Sequence, residues 1–182
     1  GAEVVLVSGP VSLPTPPGVA RIEVESAADM LAAVLRELPG THVFISTAAV
    51  ADYRPACAAR QKIKKTSDTL EVSMERTPDV LATVAALAKR PLVVGFAAET
   101  ESVEQNARAK LMKKNLDMIA ANEVGDDKGF DSEENQLIVL ARGARYELGR
   151  AGKLTLARGL IALIARELEA RADRTQRGTA LG

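Results

Sequence analysis

Residues 92–96, Leu92-Val93-Val94-Gly95-Phe96, are an uninterrupted apolar run of the length of a buried β-strand, and they give the clearest indication of the fold class. Residues 101–115 follow it as an amphipathic stretch, and residues 116–120 form a second apolar run. A strand, a helix and a strand in this order are typical of two parallel strands joined by a crossover helix. The stretch therefore predicts an α/β fold.

The same alternation of short apolar runs and amphipathic stretches continues in both directions along the chain. It predicts strands over residues 3–7, 19–24, 42–47, 92–96, 116–120 and 136–141. Residues 70–75 differ, because Leu70, Val72 and Met74 alternate with polar residues as in a half-exposed strand of an antiparallel pair. We expect a mostly parallel sheet covered by helices on both faces, a three-layer sandwich, with a small antiparallel extension.

The first and last helices have clear limits in the sequence. Ser26 and Asp29 form the pattern of a capping box, and Pro39-Gly40 ends the helix that they start. The last helix is predicted over residues 156–172. Residues 173–182 lack apolar anchors, so we expect them to form a disordered tail.

Composition limits the class of protein. The 182 residues are 47% hydrophobic and 26% charged, which predicts one soluble globular domain, here residues 1–172. Twenty-four basic and twenty-four acidic residues leave no net charge, so neither nucleic acid nor an anionic membrane is an expected partner. Cys57 and His42 are the only residues of their kinds, which excludes an intramolecular disulfide and a structural zinc site. No apolar run reaches the ~20 residues of a membrane span, and we expect a cytoplasmic protein.

Two predicted strands end in small residues, where a ligand can approach the backbone. Residues 46–55 read Ser-Thr-Ala-Ala-Val-Ala-Asp-Tyr-Arg-Pro, and the carboxylate of Asp52 is suited to bind a ribose or a base. The alternative for Asp52 is a turn in which its side chain caps the next segment. Phe96 offers a flat apolar surface to a base, although a core phenylalanine is the commoner explanation.

Lysines occur in two groups that favour an anionic ligand. Lys62, Lys64 and Lys65 lie within four positions of a polar loop that is suited to fold over a polyphosphate; the alternative is a solvated charged loop. Lys110 and Lys114 are four residues apart near the end of the third helix, where an anion between them would relieve their repulsion. The helix dipole alone also favours lysines there.

A second helix is predicted to start at Thr77. Thr77 would be its N-cap, Pro78 its first residue, and Asp79 would lie at the positive end of the helix dipole.

Two loops have no assigned ligand. Residues 8–18 contain four prolines and no GxGxxG pattern, which disfavours a nicotinamide-dependent oxidoreductase. The acidic residues 123–135 do not have EF-hand spacing, so we expect a loop there and not a metal cage.

Taken together, these segments resemble phosphopantothenate-cysteine ligase, as found in the C-terminal half of the bacterial bifunctional enzyme of coenzyme A biosynthesis. The motifs that carry the resemblance follow one another in the family's order over most of the chain. They are LVSGPVSL (6–13), AAVADY (48–53), KIKK (62–65), TPD (77–79), VGFAAET (94–100), KKNLD (113–117), AN (121–122) and GF (129–130).

The resemblance implies a Rossmann-like domain that uses CTP and Mg²⁺ to activate the carboxylate of 4'-phosphopantothenate as an acyl cytidylate, which the amine of L-cysteine then attacks. It also implies a homodimer in which the region around Lys62 and the strand 70–75 pack across subunits. Lys62 would be the catalytic residue. By the same resemblance, the residues that contact CTP would be Asp52, Lys62, Pro78, Asp79, Val80, Leu81, Phe96, Lys110 and Lys114.

The family begins with a strand and a glycine-rich segment that have no counterpart before Gly1. We therefore expect a ligase domain that is cut at its N-terminus and has impaired turnover. The alternative is a catalytically incomplete module that binds CTP and dimerises.

Overall fold

The computed structural model describes residues 1–57, 59, 61–64, 68–124 and 134–179. In chain order its elements are β1 (Val5–Ser8), β2 (Ala20–Glu23), α1 (Ala27–Glu37), β3 (Val43–Ser46), β4 (Tyr53–Pro55), β5 (Met74–Arg76), α2 (Val80–Ala85), β6 (Leu92–Glu99), α3 (Val103–Lys113), β7 (Met118–Glu123), β8 (Glu134–Ala141), β9 (Ala144–Gly152) and α4 (Lys153–Thr179). They form two compact units. Unit 1 is Gly1–Pro39 with Ala48–Thr83, and unit 2 is Gly40–Thr47 with Val84–Gly182.

Unit 1 begins with two parallel strands and a capped helix. Strands β1 and β2 pair in parallel, and no helix or strand lies between them, as the prolines predicted. Helix α1 starts with the predicted capping box: the Ser26 hydroxyl accepts a hydrogen bond from the Asp29 N–H at 3.1 Å, and Asp29 Oδ2 accepts one from the Ser26 N–H at 3.1 Å. Both of these predictions are confirmed.

The other strands of unit 1 form a short antiparallel pair. Strand β5 pairs with β4 in antiparallel orientation, as predicted, but it contains only Met74 and Glu75 of the predicted strand 70–75. The prediction of a strand over residues 70–73 is wrong, because these residues are exposed and lie outside the ladder with β4, which begins at Met74. Arg54 and Glu75 lie directly opposite each other, and Arg54 Nε donates to Glu75 Oε1 at 2.8 Å. Such cross-strand pairs contribute roughly 0.2–1 kcal/mol, a modest amount that fits a ladder of only three residues on each strand.

Helix α2 starts later than the sequence predicted. Its first residue is Val80, because Asp79 Oδ1 accepts a hydrogen bond from the Ala82 N–H at 2.9 Å, as the side chain of an N-cap does. Thr77 and Pro78 therefore precede the helix. The prediction of Thr77 as N-cap with Pro78 as first helical residue is wrong, because the carboxylate of Asp79 satisfies the free N–H group of the first turn instead.

Unit 2 contains a five-stranded mixed sheet in the order β3-β6-β7-β8-β9. The first three strands are parallel, as predicted, and β8 and β9 are antiparallel to their neighbours. Leu92 and Val94 belong to a buried cluster with the apolar residues of α4. Val93 is fully buried and points to the opposite face, because side chains alternate along a strand, and α3 buries Ala107 and Leu111. The α/β class is therefore confirmed.

Helix α4 is longer than the sequence predicted. It extends from Lys153 to Thr179, so residues 173–179 are helical and do not form the expected tail. These residues include no proline, and Arg174 makes an ion pair with Glu167 at 3.8 Å, two turns earlier on the helix. Of the helices within the described ranges, none combines the length and the apolar character that crossing a membrane requires.

Candidate functional site

A cavity of about 370 Å³ lies in unit 2 beside Phe96. Most of its lining is apolar and comes from the sheet and from the first turns of α4. Four polar residues also line it: Thr47, Asn122, Asn135 and Lys153. An apolar pocket with a few polar groups is the usual composition of a small-molecule site.

The position of this cavity follows from the parallel strands. Thr47 comes directly after β3, Phe96 lies in the second half of β6, and Asn122 is near the end of β7. Ligands of open α/β sheets bind at the carboxyl ends of the strands, which is where these three residues lie. A second cavity of about 500 Å³ lies at the amino ends, next to His42 and Arg90, and none of the predicted site residues lines it.

Phe96 and Lys110 are brought together by the strand and the helix that follows it. Lys110 is half-buried on α3, and its Nζ donates a hydrogen bond to the Phe96 carbonyl at 3.3 Å. That carbonyl points towards β3. The N–H of Leu92 donates to the His42 carbonyl on this side, and the backbone N–H and C=O groups of every second residue of a strand point the same way, so those of Phe96 do too. The pairing of β3 ends at Ser46 opposite Gly95, so the ammonium lies where β3 leaves the sheet.

Lys114 lies one turn beyond Lys110. It is the C-cap of α3, and its backbone N–H donates to the Lys110 carbonyl at 3.0 Å. Its side chain is half-buried, whereas Lys113 between them is exposed. The predicted pair Lys110 and Lys114 therefore shares one side of the helix end.

The start of α3 is held to the sheet by charges. Glu104 in the first turn accepts a hydrogen bond from Arg145 Nε of β9 at 2.8 Å and another from Arg108 at 3.0 Å. The hydrogen bond from Arg145, followed by that from Arg108, lowers the pKa of Glu104, and Glu104 in turn raises the pKa of Arg145. This network connects β9 to the start of α3, the helix that carries Lys110.

In unit 1, the segment of Asp52 is tied to the segment before α2. The Thr77 N–H donates to the Asp52 carbonyl at 3.0 Å, and the Thr77 hydroxyl donates to the Ala51 carbonyl. The Asp52 side chain is exposed, as is that of Asp79. The structure thus brings Asp52 next to Thr77, the residue that precedes Pro78 and Asp79, although the two segments are far apart in sequence.

The remaining predicted residues differ in what they can offer a ligand. Val80 and Leu81 are 6% and 7% exposed, so any contact to a ligand would come from their backbone. Lys62 and Lys64 are both exposed and lie outside helices and strands, which is compatible with a phosphate clamp and with a solvated loop. Lys65 and most of the acidic loop predicted over residues 123–135 lie outside the described residues.

Some residues at the site were not predicted. Asn122 follows Met118 and Ala120 on one side of β7, so the rule that identified Phe96 would also have identified it. Asn135 and Lys153 carry no comparable signal, because they come from an antiparallel strand and from a helix start. In the part of the chain that the structure describes, no three His, Cys, Asp or Glu side chains come together as a metal site requires.

Comparison with known proteins gives consistent results. Residues 1–168 match the family described as the DNA/pantothenate metabolism flavoprotein C-terminal domain. The coenzyme A biosynthesis bifunctional protein CoaBC of Vibrio cholerae is 49% identical over 172 residues, which cover 92% of this chain and 43% of that protein. The protein of the same name from Escherichia coli K12 is 54% identical over 142 residues, 75% of this chain and 35% of that protein. The chain thus spans less than half the length of these relatives.

Solved structures agree with the fold. The crystal structure of the C-terminal domain of a coenzyme A biosynthesis bifunctional protein CoaBC has a TM-score of 0.77 and 38% identity, covering 93% of this chain and 76% of that one. The DNA/pantothenate metabolism flavoprotein of Streptococcus pneumoniae, 21% identical with a TM-score of 0.75 over 91% of this chain and 82% of that one, supports the fold alone. The Rossmann-like α/β fold and the family resemblance are confirmed. Because the family match extends over residues 1–168, the chain belongs to the DNA/pantothenate metabolism flavoprotein C-terminal domain family.

Proposed function

We propose that the chain is a CTP-dependent ligase domain that joins 4'-phosphopantothenate to L-cysteine in coenzyme A biosynthesis. The observation that carries the proposal is the arrangement around Phe96: its side chain lines a cavity at the carboxyl ends of the parallel strands, and its carbonyl binds the ammonium of Lys110. A nucleotide needs an apolar surface for its base and cations for its phosphates. We assign the proposed reaction to this site because the chain belongs to the DNA/pantothenate metabolism flavoprotein C-terminal domain family and is similar to coenzyme A biosynthesis proteins.

The cavity supplies the contacts that a pyrimidine base needs. The ring of Phe96 offers an apolar surface, and the amide of Asn122 has both donors and an acceptor. Cytosine presents an amino donor beside ring acceptors, whereas uracil has a carbonyl in place of that amino group. Because an amide can turn either its oxygen or its NH₂ group to a base, Asn122 can pair with cytosine or with uracil, and the choice of CTP comes from the family resemblance.

Lysines would neutralise the triphosphate. Lys110 is half-buried, and a charge-assisted hydrogen bond in such a place is worth about 1.5–3 kcal/mol, more than an exposed lysine contributes. Lys114 would add a second charge on the same side of α3. Lys62 would contact the phosphate at which the reaction takes place.

Magnesium would accompany the triphosphate and reduce its charge. Mg²⁺ keeps most of its water and usually takes only one or two carboxylates from a protein. The donors of this chain fit that role, because Asp52 and Asp79 are exposed single carboxylates, and the described residues contain no cage of three acidic, His or Cys side chains.

The proposed reaction has two steps. A carboxylate oxygen of 4'-phosphopantothenate attacks the α-phosphorus of CTP, and pyrophosphate leaves with the electron pair of the broken P–O bond. The amine of cysteine then attacks the acyl carbon of the acyl cytidylate, loses a proton, and releases CMP. Lys62 would stabilise the negative charge that develops on the α-phosphate, because a cation placed beside developing charge lowers the energy of the transition state.

The proposal includes a homodimer formed through unit 1. Within residues 53–74 of this unit, five large apolar side chains are at least half exposed, a set that we call the unit 1 apolar surface. They are Tyr53, Ile63, Leu70, Val72 and Met74. A short two-stranded ladder with exposed apolar residues is only marginally stable alone, and a second copy of the chain would cover it.

Pyrophosphate release tests the proposed activity. The chain is incubated with CTP, Mg²⁺ and 4'-phosphopantothenate, and we expect release that needs all three, followed by formation of CMP and the cysteine amide when L-cysteine is added. Release that does not depend on 4'-phosphopantothenate would contradict the ligase. CTP binding with no pyrophosphate release would instead favour the incomplete CTP-binding module.

A further inference from the structure

Thr77 connects two segments that carry predicted nucleotide contacts. Its backbone N–H donates to the Asp52 carbonyl at 3.0 Å, and its hydroxyl donates to the Ala51 carbonyl. One residue therefore holds both carbonyls of the dipeptide that presents the Asp52 side chain. The next residues along the chain are Pro78 and Asp79.

The β4–β5 pair explains why this connection fixes a position. Tyr53 is paired with Arg76, so Asp52 and Thr77 come directly beyond the last pair of the ladder. The ladder has three pairs, and its middle pair is reinforced by the ion pair between Arg54 and Glu75. The Thr77 hydroxyl adds a second hydrogen bond outside the ladder, at the point where the chain turns towards α2.

We propose that Thr77 is a positioning residue of the nucleotide site, whose hydroxyl fixes the Ala51-Asp52 backbone relative to Pro78 and Asp79. This inference rests on the proposed function, because it concerns the CTP site. Asp79, and not Thr77, caps α2 with its side chain. The Thr77 hydroxyl instead holds the segment that contains Ala51. Thr77 acts through Asp52 and does not itself touch CTP.

The substitution Thr77→Val tests the role of the hydroxyl, because valine keeps the shape of the side chain and removes the donor. A neutral hydrogen bond of this kind is worth a factor of about two to ten in an equilibrium constant. We expect the Kd for CTP, measured by calorimetry, to rise by about two- to tenfold. Thr77→Ser keeps the hydroxyl and should restore binding to nearly the wild-type value.

Thr83→Val is the matched control. The Thr83 hydroxyl also donates to a backbone carbonyl, that of Asp79 at 2.8 Å, but within α2 and not across two segments. We expect Thr83→Val to leave the Kd for CTP unchanged. Hydrogen exchange of the amides around Asp52 should be faster in Thr77→Val than in the wild type or in Thr77→Ser, whereas a change of general stability would affect all amides of unit 1.

The outcomes separate the two proposals. If the wild-type chain binds CTP and Thr77→Val binds it equally well, the positioning role is wrong and the proposed function stands. Weakening by Thr77→Val and Thr83→Val to the same extent would also overturn it, because the effect would then be one of stability. If the wild-type chain does not bind CTP, the proposed function fails and the positioning role fails with it.

Discussion

At the scale of single residues, Lys110 is a site lysine held by a hydrogen bond to the strand that carries Phe96. It is half-buried, and its Nζ lies 3.3 Å from the Phe96 carbonyl. Lys110→Met keeps the apolar stem and removes the charge, and we expect the affinity for CTP to fall by about ten- to a hundredfold in a calorimetric titration. Lys113→Met on the exposed side of α3 is the control and should bind CTP like the wild type. Equal affinities for the two variants would contradict a role for Lys110.

Lys62 gives a second prediction at this scale. Lys62 and Lys64 are both exposed and separated by one residue, so they form a matched pair. If Lys62 contacts the reacting phosphate, Lys62→Ala and Lys62→Gln should lower pyrophosphate release by about ten- to a hundredfold, while Lys64→Ala has little effect. We expect the same mild result for Lys65→Ala. Small and similar losses at all three positions would show a solvated loop and no phosphate clamp.

At the scale of elements, the Glu104 network makes stability depend on pH. Hydrogen bonds from Arg145 and Arg108 lower the pKa of Glu104 in the folded chain, so folding favours its ionised form. The resulting stabilisation is present above the ordinary glutamate pKa of about 4.3 and is lost as the pH falls through the lowered value. As the pH is lowered, the unfolding temperature should therefore fall less steeply in Glu104→Gln than in the wild type.

The control for this prediction is Glu101→Gln, which removes an exposed carboxylate just before α3. Its unfolding temperature should follow that of the wild type from pH 7 to about pH 3. An identical pH dependence of Glu104→Gln and the wild type would mean that the ion pairs with Arg145 and Arg108 add nothing to stability, as many exposed pairs do.

The elements also show which parts of the fold the sequence could predict. The apolar runs of β3, β6 and β7 were found because buried parallel strands are apolar on both faces. Strand β9 was missed, because its outer side chains Arg145 and Glu147 are charged and make an edge strand resemble a loop. Strand β4 is too short to show a period.

The sequence predicts part of the candidate site. Phe96 and Lys110 could be found because a strand and its crossover helix bring such residues to one end of the sheet. The role of Thr77 could not be predicted. A threonine before a proline and an acidic residue has the sequence pattern of an N-cap, and the residue that accepts its hydroxyl, Ala51, is 26 residues away. Contacts at this separation are set by the pairing of β4 with β5.

At the scale of the whole molecule, the unit 1 apolar surface predicts association. Leu70, Val72 and Met74 are 66%, 53% and 50% exposed, which would be costly in a monomer. We expect light scattering at micromolar concentration to give the mass of a dimer, and Val72→Glu to shift the chain towards the monomer because it places a charge in the interface. A monomeric mass that does not change with concentration would contradict the dimer.

The proposed function requires that this chain binds CTP at the carboxyl ends of its parallel strands. A calorimetric titration of the chain with CTP in the presence of Mg²⁺, alongside UTP, ATP and NAD, measures this binding. We predict saturable binding of CTP that is tighter than that of UTP or ATP, is weakened by Lys110→Met and is not shared by NAD. Binding of NAD without binding of CTP would contradict the proposed CTP site.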